Sequence, residues 1–487
     1  MIVRNGLQLW AAVVAVTALG LVVAAASCVS GPGFRCRGSA ECDGAGGVCE
    51  ASGFCSFADP SCDSGRRYGA ESGSASGTCT EAAPSPDAAI ADAADIDTPP
   101  PPPDAASDGP VDASPPDGPD LADYMPSNIT PAQLIAGTDD IVVTENDGAV
   151  VINTDTGTII RTRDAASLRR PGVAFATIVQ GAGLPKIGVF SASNLRIEAG
   201  AIVTVDGAAS LALAIAFDAT VDGSLDASGG RATIYRAGPG GFQGGTGAHL
   251  DGYGPGAGLT PTGTGDAGGG GAGYVASGGS GGARASSAGG SAGGSFGTPE
   301  LVPLLGGAGG GCGGGGVDTR GRGGGGGGAV QISARGFLHV GADAILNVAG
   351  SGGQGGGNDD GGGGGGAGGA ILLEAREVIV AGVLAANGGG GGAGANITTP
   401  GMRGQSGGTT IAPAAGGLAS GEGGAGGAGG AGGTPGGAPG ESVPGTASSD
   451  NAGGGGASGG RVRLRAATID HVNGVVTPAA GLTEVSL

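Results

Sequence analysis

The chain has 487 residues, of which 119 are glycine and only 3% are aromatic, and its formal net charge at pH 7 is -20. The length exceeds what one hydrophobic core usually serves, so several domains are expected. Large side chains are too few for a conventional core, which leaves repetitive backbone structure, small residues and cross-links as the sources of stability. The negative charge repels phosphate backbones and argues against nucleic acid as a partner.

Residues 1–28 have the composition of an export signal, with a positive start followed by an uncharged apolar run. Two routes of processing stay open. The Ala-x-Ala motif at 24–26 suits ordinary cleavage before Ser27. Residues 25–28 instead resemble a bacterial lipobox, in which Cys28 is lipidated and attaches the protein to a membrane. A retained membrane helix is disfavoured, because the run is short and no stop-transfer charges follow it.

The next segment, residues 29–80, is predicted to be a small disulfide-rich module. It holds an even number of closely spaced cysteines in an exported chain, which predicts three disulfides and leaves their connectivity open. A zinc site is disfavoured, because the segment has no CxxC pair and no nearby histidine. Each bridge is expected to stabilise the module by about 2–4 kcal/mol. The six cysteines are Cys36, Cys42, Cys49, Cys55, Cys62 and Cys79.

Residues 81–125 are predicted to be a disordered linker. Proline, aspartate, alanine and serine dominate the segment, and an uninterrupted proline run occupies Pro99 to Pro103. Prolines favour the extended polyproline II conformation, and the aspartates repel one another. The linker therefore separates the cysteine-rich module from residues 126–487 as a solvated spacer.

Residues 126–487 contain an internal repeat. Segments 221–230 and 380–389 share the pattern V-x-G-x-L-x-A-x-G-G, and a weaker copy around Val203 lies 22 residues before the one at Leu225. A strand with period-2 alternation precedes the later copies. A strand, a glycine turn and a second strand make one coil of a parallel β-solenoid, which is the fold that we predict for this domain.

The alternation assigns each side chain of these strands to one of two faces. The inner face is predicted to carry Val330, Ile332 and Ala334 together with Ile371, Leu373, Ala375, Val462, Leu464 and Ala466. The residues between them are expected to face solvent. This second set includes Gln331, Ser333, Glu374, Arg376, Arg463 and Arg465.

Long glycine tracts separate the strands, and two structures are open for them. The tracts occupy residues 235–328, 350–369, 387–409 and 416–460. They are either disordered excursions, because ordering glycine is entropically unfavourable, or packed polyproline II helices with three residues per turn. Glycine recurs at every third position from 421 to 433, which in the packed alternative places Gly427 inside the bundle and Ala428 outside it.

Two resemblances concern location. Segments such as Gly47-Val48-Cys49 and Gly53-Phe54-Cys55-Ser56 resemble the cysteine-rich N-terminus of uncharacterised myxobacterial surface lipoproteins and, distantly, the Dickkopf-type N-terminal cysteine-rich fold. Residues 368–389 are similar to glycine-rich β-solenoid proteins of the same bacteria. These resemblances imply a cell-envelope location and no activity that a particular residue could carry.

Motifs for nucleophilic or cofactor chemistry arise here only by chance. The G-x-S-x-G matches within 278–297 lie in a glycine tract without a strand-to-helix context, and no P-loop is present. The histidines, His249, His339 and His471, lack metal-ligand spacing. Acidic pairs such as Asp139-Asp140 and Asp359-Asp360 could bind calcium, but the tandem calcium-binding nonapeptide is missing. No cofactor is predicted. If Cys28 is lipidated, Cys312 has no obvious disulfide partner.

Two functions remain open. A chemically poor, repetitive domain on a tether favours a non-enzymatic structural or adhesive protein that is anchored in the outer membrane or secreted, with a surface glycan or matrix as its partner. The alternative is a polysaccharide lyase or hydrolase, because many such enzymes are β-solenoids. Acids near the repeats that could serve it are Asp222, Asp226, Asp343 and Glu374.

Overall fold

The computed structural model describes residues 125–486, apart from 264, 317–318, 420 and 445–449, and parts of the segment 42–80, namely 42, 46–50, 54–62, 64–69, 72 and 76–80. The chain divides into two compact units, residues 1–112 and 113–487. The signal segment, Cys28, Cys36 and most of the linker lie outside the described residues, so the predictions made for them stay predictions.

The first unit contains a small antiparallel sheet held by disulfides. Its strands are β1 (Val48–Cys49), β2 (Cys55–Ala58) and β3 (Arg66–Tyr68), in the order β1-β2-β3. Disulfides join Cys42 to Cys55 and Cys62 to Cys79. Cys49 is also disulfide-bonded. These bridges bear out the disulfide prediction for the described cysteines, and they stabilise a segment with a very small apolar cluster around Cys42, Cys55 and Phe57.

The second unit is nearly all β and is organised as five successive strand triplets. Each triplet has a first, a second and a third strand, separated by short turns. The triplets are β9 (Ile187–Ala192), β10 (Leu195–Ile197) and β11 (Ile202–Asp206); β12 (Ser210–Ile215), β13 (Ala219–Val221) and β14 (Ser224–Asp226); β15 (Ala329–Ala334), β16 (Phe337–Val340) and β17 (Ile345–Asn347); β18 (Ala370–Glu374), β19 (Glu377–Val380) and β20 (Val383–Ala385); and β21 (Arg461–Ala466), β22 (Thr468–Asp470) and β23 (Val475–Thr477).

Corresponding strands of successive triplets pair in parallel and build three sheets. The first sheet contains β9, β12, β15, β18 and β21, the second β10, β13, β16, β19 and β22, and the third β11, β14, β17, β20 and β23, each in that spatial order. Val221 pairs with Val340, and Val340 pairs with Val380. Val203 pairs with Leu225. The predicted alignment of the repeats, including the 22-residue offset, is therefore the register of the parallel sheets.

Shorter elements complete the two ends of the sheets. A four-residue helix, α1 (Pro131–Leu134), comes first, and β4 (Ile141–Val143) and β5 (Ala149–Asn153) then extend the second and third sheets in parallel. Antiparallel strands β6 (Thr158–Arg161), β7 (Ala166–Ser167) and β8 (Ala174–Ile178) finish that end. At the other end, β24 (Leu482–Ser486) pairs with β21. Two 3-10 turns lie at Glu145–Asp147 and Ala479–Gly481.

The hydrophobic core lies between the three sheets and follows the predicted alternation. Alternate side chains of the triplet strands lie in one continuous cluster, to which β22 and β23 contribute the partly buried Ile469 and Val476. This cluster contains all nine residues that were predicted for the inner face, from Val330 to Ala466. The period-2 pattern was sufficient here, because consecutive side chains of a strand point to opposite faces.

The outer face of the first sheet is also buried, which corrects one prediction. Gln331, Ser333 and Glu374 are fully buried and Arg463 is 8% exposed, although all were expected to face solvent. A second layer covers this face and forms its own apolar cluster. That layer includes Ile129, Leu134, Tyr274, Leu301 and Leu304, which come from outside the triplets. Arg376 is exposed, as predicted, and Arg465 is half-buried.

Three long glycine-rich excursions leave the strands at the same place. They connect the third strand of one triplet to the first strand of the next, at residues 227–328, 348–369 and 386–460. Most of their described glycines are buried. They lie against the outer face of the first sheet, because Ala308, Ala367 and Ala457 of the excursions belong to the same cluster as Val189 and Leu372 of that sheet.

The segment 361–369 shows how the excursions pack. All nine of its backbone amides donate a hydrogen bond. Successive amides donate to three different neighbouring segments, and this order repeats every three residues. Residues 361, 364 and 367 donate to the carbonyls of 314, 311 and 308. Residues 362, 365 and 368 donate to 452, 455 and 458, and residues 363, 366 and 369 donate to 354, 351 and 348.

The carbonyls of the same segment repeat this rotation towards further neighbours. Gly361, Gly364 and Ala367 accept hydrogen bonds from the amides of 321, 324 and 327, and Gly363 and Gly366 accept from 392 and 389. A rotation that repeats every three residues requires a backbone with three residues per turn. Glycine is needed because the segments approach closely: a Cβ on Gly364 would lie 1.9 Å from the carbonyl oxygen of Gly270. The described glycines of the excursions are therefore largely buried and paired through backbone hydrogen bonds.

Candidate functional site

The four acids that sequence reasoning assigned to a polysaccharide-acting enzyme do not converge on one site, although Asp222 and Asp343 lie in corresponding turns of neighbouring triplets. Asp222 lies in the turn between β13 and β14, and Asp343 lies exposed in the turn between β16 and β17. Asp226, on β14 of the third sheet, accepts hydrogen bonds from the Ser228 amide at 3.0 Å and the Asn347 side chain at 3.2 Å. Glu374 lies in the first sheet and is buried. The two carboxyl groups that glycoside hydrolysis uses must flank a single glycosidic bond, and the four acids as a set do not form such a site.

The buried carboxylate of Glu374 is held by several hydrogen bonds and one ion pair. Its carboxylate accepts hydrogen bonds from Ser127 Oγ at 2.6 Å, from the Ser127 amide at 3.0 Å and from Ser333 Oγ at 2.9 Å. Gln331 Nε2 donates to it at 3.1 Å, and Arg465 Nη1 forms an ion pair with it at 3.2 Å. A buried carboxylate with this many donors fixes the segment at Ser127 to the first sheet.

The third sheet carries a largely apolar row on its outer face, which one serine, Ser224, interrupts. The row crosses six strands in register, because each member pairs with the next along the sheet. Ile202 is 52% exposed and Val475 is 40% exposed, and the members between them are half-buried. At the usual strand spacing the row is about 24 Å long. It consists of Ala149, Ile202, Ser224, Ile345, Val383 and Val475.

The outer face of the second sheet is different in character. Its in-register row alternates apolar, charged and polar side chains, so that no continuous apolar surface forms there. This row consists of Val142, Arg196, Thr220, His339, Ile379 and Asp470.

Sequence reasoning did not single out the apolar row of the third sheet. Its signal was present in the outward positions of the repeat, where Ile345 and Val383 alternate with the buried leucines at 346 and 384.

A polar cavity of about 500 Å³ lies where turns of the glycine-rich excursions meet. Three carboxylates line it: Asp266 from the first excursion, and Asp359 and Asp360 from the second. Asp360 Oδ1 accepts a hydrogen bond from the Gly316 amide at 2.7 Å. Its other oxygen, Oδ2, is buried and accepts no hydrogen bond among the described residues. Arg320 also lines the cavity and donates to the carbonyl of Gly316 at 2.9 Å.

The electrostatics of the cavity are dominated by its carboxylates. Burial raises the pKa of Asp266. The Arg284 guanidinium, 3.1 Å away, lowers that pKa, and the negative charges of Asp359 and Asp360 raise it again. A carboxyl whose pKa is raised in the folded state is held in its charged form at a free-energy cost, which a cation would offset.

The remaining reactive side chains have structural surroundings. Cys312 is a free, buried cysteine, and burial raises the pKa of its thiol. His249 stacks on Tyr253 with 4.2 Å between the ring centroids, and His471 contacts Glu484. Within the described ranges, no three His, Cys, Asp or Glu side chains form a group that could hold a metal ion by themselves.

Comparison with known proteins gives no assignment. The chain matches no family model, no curated protein and no solved structure. In the part of the chain that the structure describes, none of the helices has the length and apolar character needed to cross a membrane. The function therefore has to be inferred from the residues themselves.

Proposed function

We propose that the chain is a non-enzymatic, exported structural or adhesive protein of the cell envelope. In this proposal residues 126–487 form a parallel β-solenoid of five strand triplets, and a bundle of polyproline II helices covers one of its three faces. The in-register sheets support the first part. The three-residue rotation of hydrogen bonds along 361–369 supports the second, because polyproline II has three residues per turn.

One observation carries the adhesive function, namely the apolar row on the third sheet. Exposed apolar patches on soluble proteins mark surfaces that bind a partner, because leaving them in water is unfavourable. The row is held in place by backbone pairing, so its residues lose little conformational entropy when a partner binds. A surface glycan or matrix polymer, whose sugar rings have apolar faces, suits a row of small and branched side chains.

The envelope location is supported by the chemistry of the chain. The disulfides of the first unit persist in oxidising compartments such as the periplasm and the cell surface. Residues 1–28 have the composition of an export signal, with Cys28 as the residue that a lipid would occupy. Together these features favour a tethered or secreted protein.

A binding experiment tests the adhesive function. The purified full chain is incubated with isolated surface polysaccharide and with a glycan array, and bound protein is measured. Ile345→Asp places a charge in the middle of the apolar row and is expected to weaken binding about tenfold, or ~1.4 kcal/mol. His339→Asp is the matched control, because it places the same charge on the outer face of the second sheet in the same triplet.

Equal binding by both variants and the unchanged chain contradicts the role of the apolar row. The enzymatic alternative is tested in parallel by measuring the release of reducing sugar. Release that Asp222→Asn abolishes would support an enzyme and contradict the proposed function. Glu374 is unsuited to this test, because its replacement removes a buried ion pair.

A further inference from the structure

We propose that the polar cavity between the turns of the glycine-rich excursions is a calcium site, with Asp360 among its ligands. The proposal does not depend on the adhesive function of the third sheet. It rests on a carboxylate oxygen without a hydrogen bond, on the charge of the cavity and on the place of the cavity in the fold.

One buried oxygen points to a ligand. Asp360 is 3% exposed and lines the cavity, and its Oδ2 accepts no hydrogen bond among the described residues. The neighbouring Asp359 Oδ1 accepts a hydrogen bond from the side-chain amide of the buried Asn451 at 3.3 Å. A buried acceptor without a donor is unfavourable by about 1–3 kcal/mol, so each such group calls for an ion or another donor.

The charges of the cavity select a cation. Asp266, Asp359 and Asp360 contribute three carboxylates, whereas Arg284 and Arg320 contribute two guanidinium groups. The Arg284 charge is already paired with Asp266, and Arg320 donates to backbone carbonyls. The negative charge of Asp359 and Asp360 is therefore left without a cationic side chain at hydrogen-bond distance among the described residues.

The available ligands are those that calcium prefers. Calcium takes six to eight oxygens from carboxylates, amide side chains, backbone carbonyls and water in a flexible geometry. The cavity lacks the cluster of three acids that a purely carboxylate site would need. It supplies carboxylates, the amide of Asn358 and backbone carbonyls instead. Zinc would require nitrogen or sulfur ligands, and neither histidine nor cysteine lines the cavity.

The site would have a mechanical role. Asp266 belongs to the first excursion, and Asp359 and Asp360 belong to the second. One cation shared by these side chains would cross-link the turns at one end of the glycine bundle. Calcium is abundant outside the cell, where weak sites of Kd about 10⁻⁴–10⁻³ M are filled. Binding would therefore stiffen the bundle after export.

The test measures calcium binding directly. The full chain is freed of divalent ions with a chelator, and CaCl₂ is titrated into it in a calorimeter. We expect one site per chain, and a Kd at least about tenfold weaker in Asp360→Asn, which keeps the size of the side chain and removes its charge. Asp343→Asn removes the same charge from an exposed turn in the sheet region and is expected to leave the Kd unchanged.

Circular dichroism of each variant confirms that it has folded, and hydrogen exchange around 314–316 and 359–361 gives a second measurement. Calcium should slow exchange at these turns in the unchanged chain and in Asp343→Asn, but not in Asp360→Asn. Absence of calcium binding at millimolar concentration overturns the proposal. Equal Kd values for Asp360→Asn and the unchanged chain overturn it as well.

Discussion

Adding one methyl group at Gly427 should destabilise the glycine bundle. Gly427 is buried, its amide donates to the carbonyl of Gly454 at 2.9 Å, and its carbonyl accepts from Gly391 at 2.8 Å. A Cβ at this position would lie 2.1 Å from the carbonyl oxygen of Ala438, about 1.3 Å short of the 3.4 Å at which ordinary contact begins. The neighbouring segment is backbone, so it cannot turn aside as a flexible side chain could.

The expected loss of stability follows from two effects of forcing the neighbouring segments apart. Overpacking of a tight interior typically destabilises by about 1–3 kcal/mol. Separating the segments also weakens the two hydrogen bonds of Gly427, each of which contributes about 1 kcal/mol. We therefore expect Gly427→Ala to lower the free energy of unfolding by roughly 2–4 kcal/mol, measured by guanidinium titration of the full chain with circular dichroism as the signal.

Gly433 provides the matched control. It belongs to the same glycine run but is exposed, and a Cβ there would meet nothing within 4 Å. Gly433→Ala should be neutral or stabilise by up to about 1 kcal/mol, because alanine reduces the freedom of the unfolded chain. Equal effects of the two substitutions would refute the close packing, because a loose tract cannot distinguish the two positions.

Four further predictions concern other parts of the chain. Glu374→Gln should destabilise the sheet domain by about 3 kcal/mol and lower its melting temperature, because it breaks a buried ion pair; an unchanged melting temperature would contradict this. Cys312 should resist alkylation in the native chain and react after unfolding, so rapid native labelling would count against its burial. Mass spectrometry of envelope fractions should find either acylated Cys28 or free Ser27 as the mature N-terminus, and an intact Met1 there would refute both routes of export processing. Mild reduction should unfold residues 29–80 while the β signal of the sheets persists, and its loss would show that the two units depend on each other.

The sequence predicts the inner faces and the register of the sheets well, for a local reason. Alternation along a strand fixes which side chains share a face. The repeat V-x-G-x-L gives Val221 and Val380 the same position, and the structure places both in register with Val340. Both signals lie within segments of about ten residues. They need no knowledge of what the distant parts of the chain do.

The outer faces could not be predicted in this way. Gln331 and Ser333 are polar and alternate with apolar residues, which is also the pattern of a solvated face. They are buried because segments around Ile129 and Leu301, far away in sequence, cover them. The sequence of a strand does not indicate whether another layer of the protein will cover its outer face.

The polar cavity could not be assembled from the sequence for a related reason. Asp266 and Asp360 come from two different excursions, and only the packing of those excursions brings them to one cavity. The pair Asp359-Asp360 was visible as a calcium candidate, but its partners were not. The apolar row of the third sheet was accessible to sequence reasoning, because Ile345 and Val383 occupy outward positions of the repeat.

Residue-resolved hydrogen exchange across 361–369 tests most directly whether the glycine-rich excursions form an ordered bundle on the sheets. Every amide in this segment donates to a backbone carbonyl of a neighbouring segment. All nine amides should therefore exchange far more slowly than in a random coil, even though the segment contains no helix or strand. Exchange of these amides at random-coil rates, with the strands β18 and β21 still protected, would show that the excursions are not packed as an ordered bundle on the sheets.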